Sequence, residues 1–187
     1  LNLILSKKVD SIILVGSNFI APTELENAYI SEAAEQVPIM LLNAAYDHPN
    51  VYGTLCDDYA AMYEAASAML KAGIRHILYV YNAQSYSGIR KRKGITDAMQ
   101  RAGITDPDRY IYHYTGRMDR LCDITDFIEQ IADSGVAFDG MIAAEDTLAI
   151  GCMKYAKRRG IRIPQELSII GYNNSILTDC CTPELTS

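Results

Sequence analysis

The sequence predicts an α/β fold in which helices cover both faces of a doubly wound parallel sheet. Seven short apolar runs alternate with segments whose apolar residues have helical spacing. Four of those segments end in a glycine followed by an apolar residue, which is a common way for a helix to stop. Repeated strand–helix–glycine–strand units indicate a parallel sheet, because each helix returns the chain to the same edge.

The predicted strands are short and mostly apolar throughout, as expected for strands that are covered on both faces. They are Ser11–Gly16, Pro38–Asn43, Val51–Cys56, His76–Tyr81, Tyr110–Tyr114, Gly140–Ala144 and Leu167–Gly171.

Four predicted helices each have one apolar stripe, which we expect to face the core. The stripes run through 59–70, 95–102, 121–131 and 148–156. Left-handed backbone is expected at the glycine after each helix, since glycine adopts it without steric cost. These glycines are Gly73, Gly103, Gly135 and Gly160. Asp146 is expected to cap the N-terminus of a helix that begins at Thr147.

Composition excludes several classes of protein. The formal net charge is −6, which does not fit a nucleic-acid surface, so DNA binding would need a segment outside these residues. Five cysteines without a CxxC pair favour free thiols in a reducing cytoplasm. The three histidines have no metal-ligand spacing, and no run approaches the roughly 20 apolar residues of a membrane span. We expect no metal, no cofactor and no membrane partner.

Polar residues follow nearly every predicted strand, where ligands of open α/β sheets bind. The sequence lacks the glycine-rich phosphate loops, the nucleophile elbow and the zinc motif HExxH. The carboxylate pairs Asp57-Asp58 and Glu145-Asp146 are adjacent in sequence and diverge in direction, unlike an acid–base pair placed across a substrate. A polar edge without a catalytic set predicts reversible binding, and we do not expect an enzyme.

Four sequence blocks resemble the LacI/GalR family of transcriptional regulators. Residues Gly160–Asn174, followed by Pro183–Ser187, are similar to the family's tract G-I-x-[IV]-P-x-[DE]-[IVL]-S-[IV]-[IV]-G-[FY]-[DN]-[DN]…P-x-L-T-[ST]. Val9–Leu14, Cys56–Asp58 with Gly73, and Ala143–Gly151 match three further blocks in the family's order. The resemblance covers essentially the whole chain.

The resemblance implies a periplasmic-binding-protein-like fold of type I, in which two α/β subdomains close on a small molecule, often a sugar. By this comparison residues 1–72 belong to an incomplete N-subdomain and 74–182 to the C-subdomain. Residues 73–75 would form one hinge crossover, and 183–187 would begin another. The chain would be truncated at both ends, and its DNA-binding headpiece would lie outside it.

The resemblance also implies which residues contact the effector. Lys91 lies where the family most often has an effector-gripping arginine, and the neighbouring Arg90 is the alternative. Met118 stands where an aromatic residue often stacks on the ligand. Glu145 replaces the usual asparagine, and Asn173 replaces the usual aspartate. The full predicted set is Asp58, Ser85, Ser87, Arg90, Lys91, Met118, Glu145 and Asn173.

The family pattern predicts a homodimer with Ile150, Lys154 and Cys181 at its interface. The function that follows is a cytoplasmic transcriptional regulator, most often a repressor in this family, that senses a sugar-like effector and alters DNA binding allosterically. The alternative is an extracytoplasmic sugar-binding protein of a transporter, which the free cysteines and the Pro183–Thr186 ending disfavour.

Overall fold

The computed structural model describes residues 1–21 and 23–187. The chain forms two compact units. The first comprises Leu1–Asp58 and Gln84–Arg90, and the second comprises Tyr59–Ala83 and Lys91–Ser187.

The first unit contains a three-stranded parallel sheet in the order β1-β2-β3. Alternate residues of β1 and β2 are buried, with Ile12, Leu14, Ile39 and Leu41 packed against the helix α2 through Ile30. The elements are α1 (Asn2–Leu5), β1 (Ile12–Val15), a 3₁₀ turn (Ser17–Phe19), α2 (Glu24–Ala34), β2 (Ile39–Leu42) and β3 (Val51–Thr54).

The second unit contains a four-stranded parallel sheet in the order β5-β4-β6-β7. Two long helices begin with residues of the first unit: α3 begins at Asp58, and α4 begins at Tyr86. The elements are α3 (Asp58–Lys71), β4 (Ile77–Tyr81), α4 (Tyr86–Arg101), a 3₁₀ turn (Pro107–Tyr110), β5 (Ile111–His113), α5 (Leu121–Asp133), β6 (Gly140–Ala143), α6 (Asp146–Arg159) and β7 (Ser168–Ile170).

Helices cover both faces of this second sheet. Leu78 and Val80 of β4 point into a core formed with α5 and α6, whereas Ile77 and Tyr79 point into a core formed with α3 and α4. Every residue of β4 and β6 is buried, because strands in the middle of a doubly covered sheet lose both faces to packing. The predicted α/β fold with parallel strands is confirmed, and all seven predicted strands are present.

The glycine stops are also confirmed. Gly73, Gly103, Gly135 and Gly160 all have positive φ, between 69° and 98°. After three of them the next residue donates its N–H back to the helix, as from Ile161 to the Ala156 carbonyl at 2.9 Å. This closure satisfies carbonyl groups that the end of a helix leaves without intrahelical partners.

The prediction that Asp146 caps a helix was wrong. Helix α6 begins at Asp146 itself, with Glu145 at the capping position and no side-chain cap. The Asp146 carboxylate is buried and accepts hydrogen bonds from the Ser175 backbone N–H at 2.7 Å and the Ser187 hydroxyl at 2.6 Å. Two donors from the segment after β7 therefore hold it away from the free N–H groups of its own helix.

Helix α3 packs on the second sheet. Its residues Met62, Ala66 and Met69 lie in the same apolar cluster as Ile77, because the tight turn at Gly73 returns the buried face of the helix onto β4. The compact units divide at Asp58 and Tyr59, earlier in the chain than the expected limit at residue 72. The subdomain limits and the crossovers at 73–75 and 183–187 stay predictions for the whole protein.

Candidate functional site

The carboxyl edge of the second sheet contains a buried cation. Lys91 of α4 is 8% exposed, and its Nζ donates a hydrogen bond to the Ala144 carbonyl oxygen at 3.1 Å. The same ammonium lies 3.6 Å from the ring centre of Tyr172. Ala144 follows β6 and Tyr172 follows β7, so the cation is positioned by the ends of two neighbouring strands. A lysine with so little exposure is rare without such partners.

A carboxylate and an amide meet beside this cation on the same edge. Asn82, directly after β4, donates from Nδ2 to Oε1 of Glu145 at 3.0 Å. Both side chains are half-buried, and Glu145 directly precedes α6. The second carboxylate oxygen of Glu145 has capacity to accept a further hydrogen bond, as from a ligand hydroxyl.

The loop after β7 exposes Asn173 in an unusual backbone conformation. The backbone φ is 102° at Asn173 and 47° at Asn174, values that residues other than glycine rarely adopt. The loop is held in place where the backbone N–H of Asn174 donates to the Ser187 hydroxyl at 2.9 Å. Strained backbone of this kind is most often retained where function depends on it. Asn173 itself is exposed and thus accessible to a ligand.

Asn82 belongs to this edge but is absent from the predicted set. Its position directly after β4 was the available signal, since ligands of open α/β sheets bind beyond the carboxyl ends of strands. Tyr81 stacks on His113 with ring centres 4.7 Å apart, and Arg92 lies 5.9 Å from the Tyr81 ring centre. Tyr81 is 7% exposed and belongs to the core formed with α3 and α4. Met118 is half-buried and packs against the core formed with α5 and α6.

The first unit brings together a second group of predicted residues. The Ser85 hydroxyl oxygen accepts a hydrogen bond from the Ser17 hydroxyl at 2.9 Å and another from the Gly88 N–H at 3.2 Å. Ser87 is 4% exposed, and its hydroxyl has no hydrogen-bond partner in the described chain. Asp58 is buried at the start of α3. Arg90 pairs with Asp57 at 3.2 Å, so its charge is already engaged within this unit.

The three predicted dimer residues line one cavity of about 640 Å³ in the second unit. Ile150 and Cys181 are half-buried against the core, and Lys154 is exposed at the rim. Nearby, the side chains of Ile176 and Leu177 are 80% and 44% exposed. Burial, together with the neighbouring Cys180 thiol and Asp146 carboxylate, raises the pKa of the Cys181 thiol.

The described residues, 1–21 and 23–187, contain no group of three or more histidine, cysteine, aspartate or glutamate side chains that could hold a metal ion. Among the helices that the structure describes, each is too short or too polar to cross a bilayer.

The fold defines an α/β protein with parallel sheets and a polar strand edge, and sequence comparison identifies the family. The chain belongs to the periplasmic binding protein-like domain family, whose model matches residues 66–187. The predicted resemblance to the effector-binding domain of LacI/GalR regulators is confirmed.

The relatives are named as regulators. The chain is 45% identical over its full length to an HTH-type transcriptional regulator of Lachnoclostridium phytofermentans, and covers 55% of it. It is 24% identical over its full length to the arabinose metabolism transcriptional repressor of Halalkalibacterium halodurans, and covers 50% of that protein. The chain thus spans about half the length of these curated relatives. The alternative of a transporter's binding protein is not favoured.

Solved structures confirm the fold. A LacI-family sugar-binding transcriptional regulator of Escherichia coli, complexed with phosphate, superposes with a TM-score of 0.78 at 23% identity. The match covers 98% of this chain and 64% of that one. The periplasmic-binding-protein-like architecture expected from the sequence is therefore present.

Proposed function

We propose that this chain is the effector-binding and dimerisation core of a LacI-type transcriptional regulator, a cytoplasmic protein that senses a small molecule and thereby alters DNA binding. The observation that carries the proposal is the edge formed by Lys91, Glu145 and Asn82, where charged and amide groups end adjacent strands without a nucleophile–base set. Such an edge binds and releases a ligand without transforming it.

The effector proposed is a sugar or sugar derivative. Carboxylate and amide groups such as Glu145, Asn82 and Asn173 accept and donate hydrogen bonds of the kind that sugar hydroxyls make. One relative is named for arabinose metabolism and one structural neighbour as sugar-binding, which supports the same class.

The proposed contact residues divide between the two units. Asp58, Ser85, Ser87 and Arg90 belong to the first, and Lys91, Met118, Glu145 and Asn173 belong to the second. To change DNA affinity, the effector must bind one state of the protein better than another.

A thermal-shift screen of the full-length protein against free sugars, sugar phosphates and nucleobases tests the ligand class. A ligand at about 100 times its dissociation constant adds about 2.7 kcal/mol to the stability of the folded protein. Asn173→Ala and Glu145→Gln should reduce the shift, while Lys7→Ala, an exposed lysine before the first sheet, should not. Unchanged shifts in both site variants would disprove the site, and a response to nucleobases alone would disprove the sugar class.

Sedimentation of the full-length protein tests dimerisation. We expect a dimer at micromolar concentration and a monomer for Ile150→Glu, because a buried unpaired carboxylate is costly at an apolar interface. Leu25→Glu, which alters an exposed leucine of α2, is the matched control and should remain dimeric. A monomeric wild-type protein would contradict the proposal.

A further inference from the structure

A second cavity shares no lining residue with the polar strand edge. Helices α3 and α4 line a groove of about 660 Å³ in the second unit. Its apolar and aromatic lining residues include Tyr63, Leu70, Ala98 and Ala102, and its charged residues are Glu64, Lys71, Arg75 and Arg101. We call these eight residues, together with Ser67 and Ala68, the α3–α4 groove.

The two arginines of this groove form no ion pair with a carboxylate. Six of the ten arginines of the described chain do, namely Arg90, Arg117, Arg120, Arg158, Arg159 and Arg162. The remaining four are Arg75, Arg92, Arg101 and Arg109. Arg75 and Arg101 line the groove, and Arg109 lines an adjoining cavity of about 280 Å³ that shares Arg75. Two of the four arginines without an ion pair therefore line one groove of an acidic protein.

Helix-end electrostatics account for only part of this arrangement. Lys71 and Arg101 lie in the last turns of α3 and α4, where cations stabilise the helix dipole. Arg75 and Arg109 lie outside those helices, so their placement beside the groove is not explained in that way. Among the residues that line the groove, Glu64 is the one carboxylate beside the three cations Lys71, Arg75 and Arg101, so the lining has a net positive charge.

The chemistry of the groove selects among anions. Helix C-termini present carbonyl groups, so a compact phosphate would find no backbone N–H donors there and would rely on separate side chains alone. A nucleic acid would need a longer basic track than these few cations on a chain of charge −6. The carboxylates of a longer acidic segment can each pair with a separate cation. The apolar side of that segment can cover the surface formed by Leu70 and Ala98.

We propose that the α3–α4 groove is a docking site for an acidic, amphipathic segment of a partner protein. The carboxylates of that segment pair with Lys71, Arg75 and Arg101, and its apolar face packs between the two helices. This surface shares no residue with those proposed for the effector and for the dimer.

The probe is a synthetic, fluorescently labelled helical peptide of about 15 residues, with glutamates on one face and leucines on the other. Binding to the full-length protein is measured by anisotropy in low and moderate salt. Lys71→Glu/Arg101→Glu should weaken binding about tenfold or more, because each reversal replaces an attraction to the peptide's carboxylates by a repulsion. A tenfold loss corresponds to about 1.4 kcal/mol of binding free energy. Lys71→Gln/Arg101→Gln should weaken peptide binding less. This neutral variant keeps the test valid if the charge-reversed variant does not fold.

The control variant is Lys7→Glu/Lys8→Glu, which changes the net charge equally at exposed lysines of the first unit. It should bind the probe as the wild-type protein does, and a peptide with glutamines in place of the glutamates should not bind. Equal losses in the control and groove variants would overturn the proposal, as would a wild-type protein that does not bind the probe. Displacement of the probe by pyrophosphate or by short duplex DNA, at lower concentration than by unlabelled peptide, would overturn the choice of a peptide partner.

Discussion

The ammonium group of Lys91 lies 3.6 Å from the centre of the Tyr172 ring while it donates a hydrogen bond to the Ala144 carbonyl. One cation of α4 thereby joins the ends of β6 and β7, which are far apart in sequence. A buried cation with a carbonyl and an aromatic face as partners contributes to stability as well as to the ligand edge.

Lys91→Met should lower the free energy of unfolding by about 1–3 kcal/mol, because it leaves a buried carbonyl without its donor. Lys91→Arg should not restore the wild-type value, since a planar guanidinium does not fit a site built for a compact ammonium. Urea denaturation measures both. Lys157→Met, on the exposed face of α6, is the control and should change stability by less than about 0.5 kcal/mol.

Asp146→Ala should destabilise the protein by about 1.5–3 kcal/mol. It removes the acceptor for the Ser175 N–H and the Ser187 hydroxyl and leaves both donors without it. Asp146→Asn keeps one carbonyl acceptor, so we expect about half that loss. The comparison is made by chemical denaturation at neutral pH, and equal losses in the two variants would show that the hydrogen bonds are not the cause.

Gly94→Ala should destabilise the protein by about 1–3 kcal/mol through a clash between helices. Gly94 of α4 faces the backbone of α3, where an added Cβ would collide with the Tyr59 carbonyl oxygen and lie 3.1 Å from the Tyr63 nitrogen. Neither backbone atom can move without shifting the helix. Gln100→Ala, on the exposed side of α4, is the control for a change in helix propensity alone, and the thermal midpoint is measured for both variants. If Gln100→Ala lowered the midpoint as much as Gly94→Ala, the steric explanation would be refuted.

Asp97 should make stability depend on pH in acid. The Lys93 ammonium hydrogen-bonds to this carboxylate, and the Tyr59 hydroxyl adds a second bond, so the pKa of Asp97 is lower in the folded protein. Its stabilising contribution is present above the pKa of the unfolded chain and is lost as pH falls through the folded-state pKa. Asp97→Asn should therefore lower the urea midpoint at pH 7 and should have a smaller effect near pH 3. An effect that grows as pH falls would reverse the sign and contradict the assignment.

The local parts of the fold were predictable because local physics decides them. Strands such as Ile77–Tyr81 are apolar on both faces, and the stop at Gly160 depends on a left-handed residue that glycine supplies without strain. Helix α2 was not predicted, since its exposed glutamates and short apolar stripe give a weak helical pattern. The position of the polar edge was predictable too, because the carboxyl ends of parallel strands all lie on one side of the sheet.

Only the tertiary structure decided the partners of the site residues. Asp146 was predicted as a helix cap, but its two hydrogen-bond donors come from the segment after β7. No local pattern predicts the contact between Lys91 and the Tyr172 ring. The α3–α4 groove could not be predicted from the sequence, because no local pattern connects Lys71, Arg75 and Arg101. The sequence by itself thus determined the seven strands, four of the helices with their glycine stops, and the family. Which side chains meet depended on long-range packing, since residues distant in the chain become neighbours only when the helices close on the sheet.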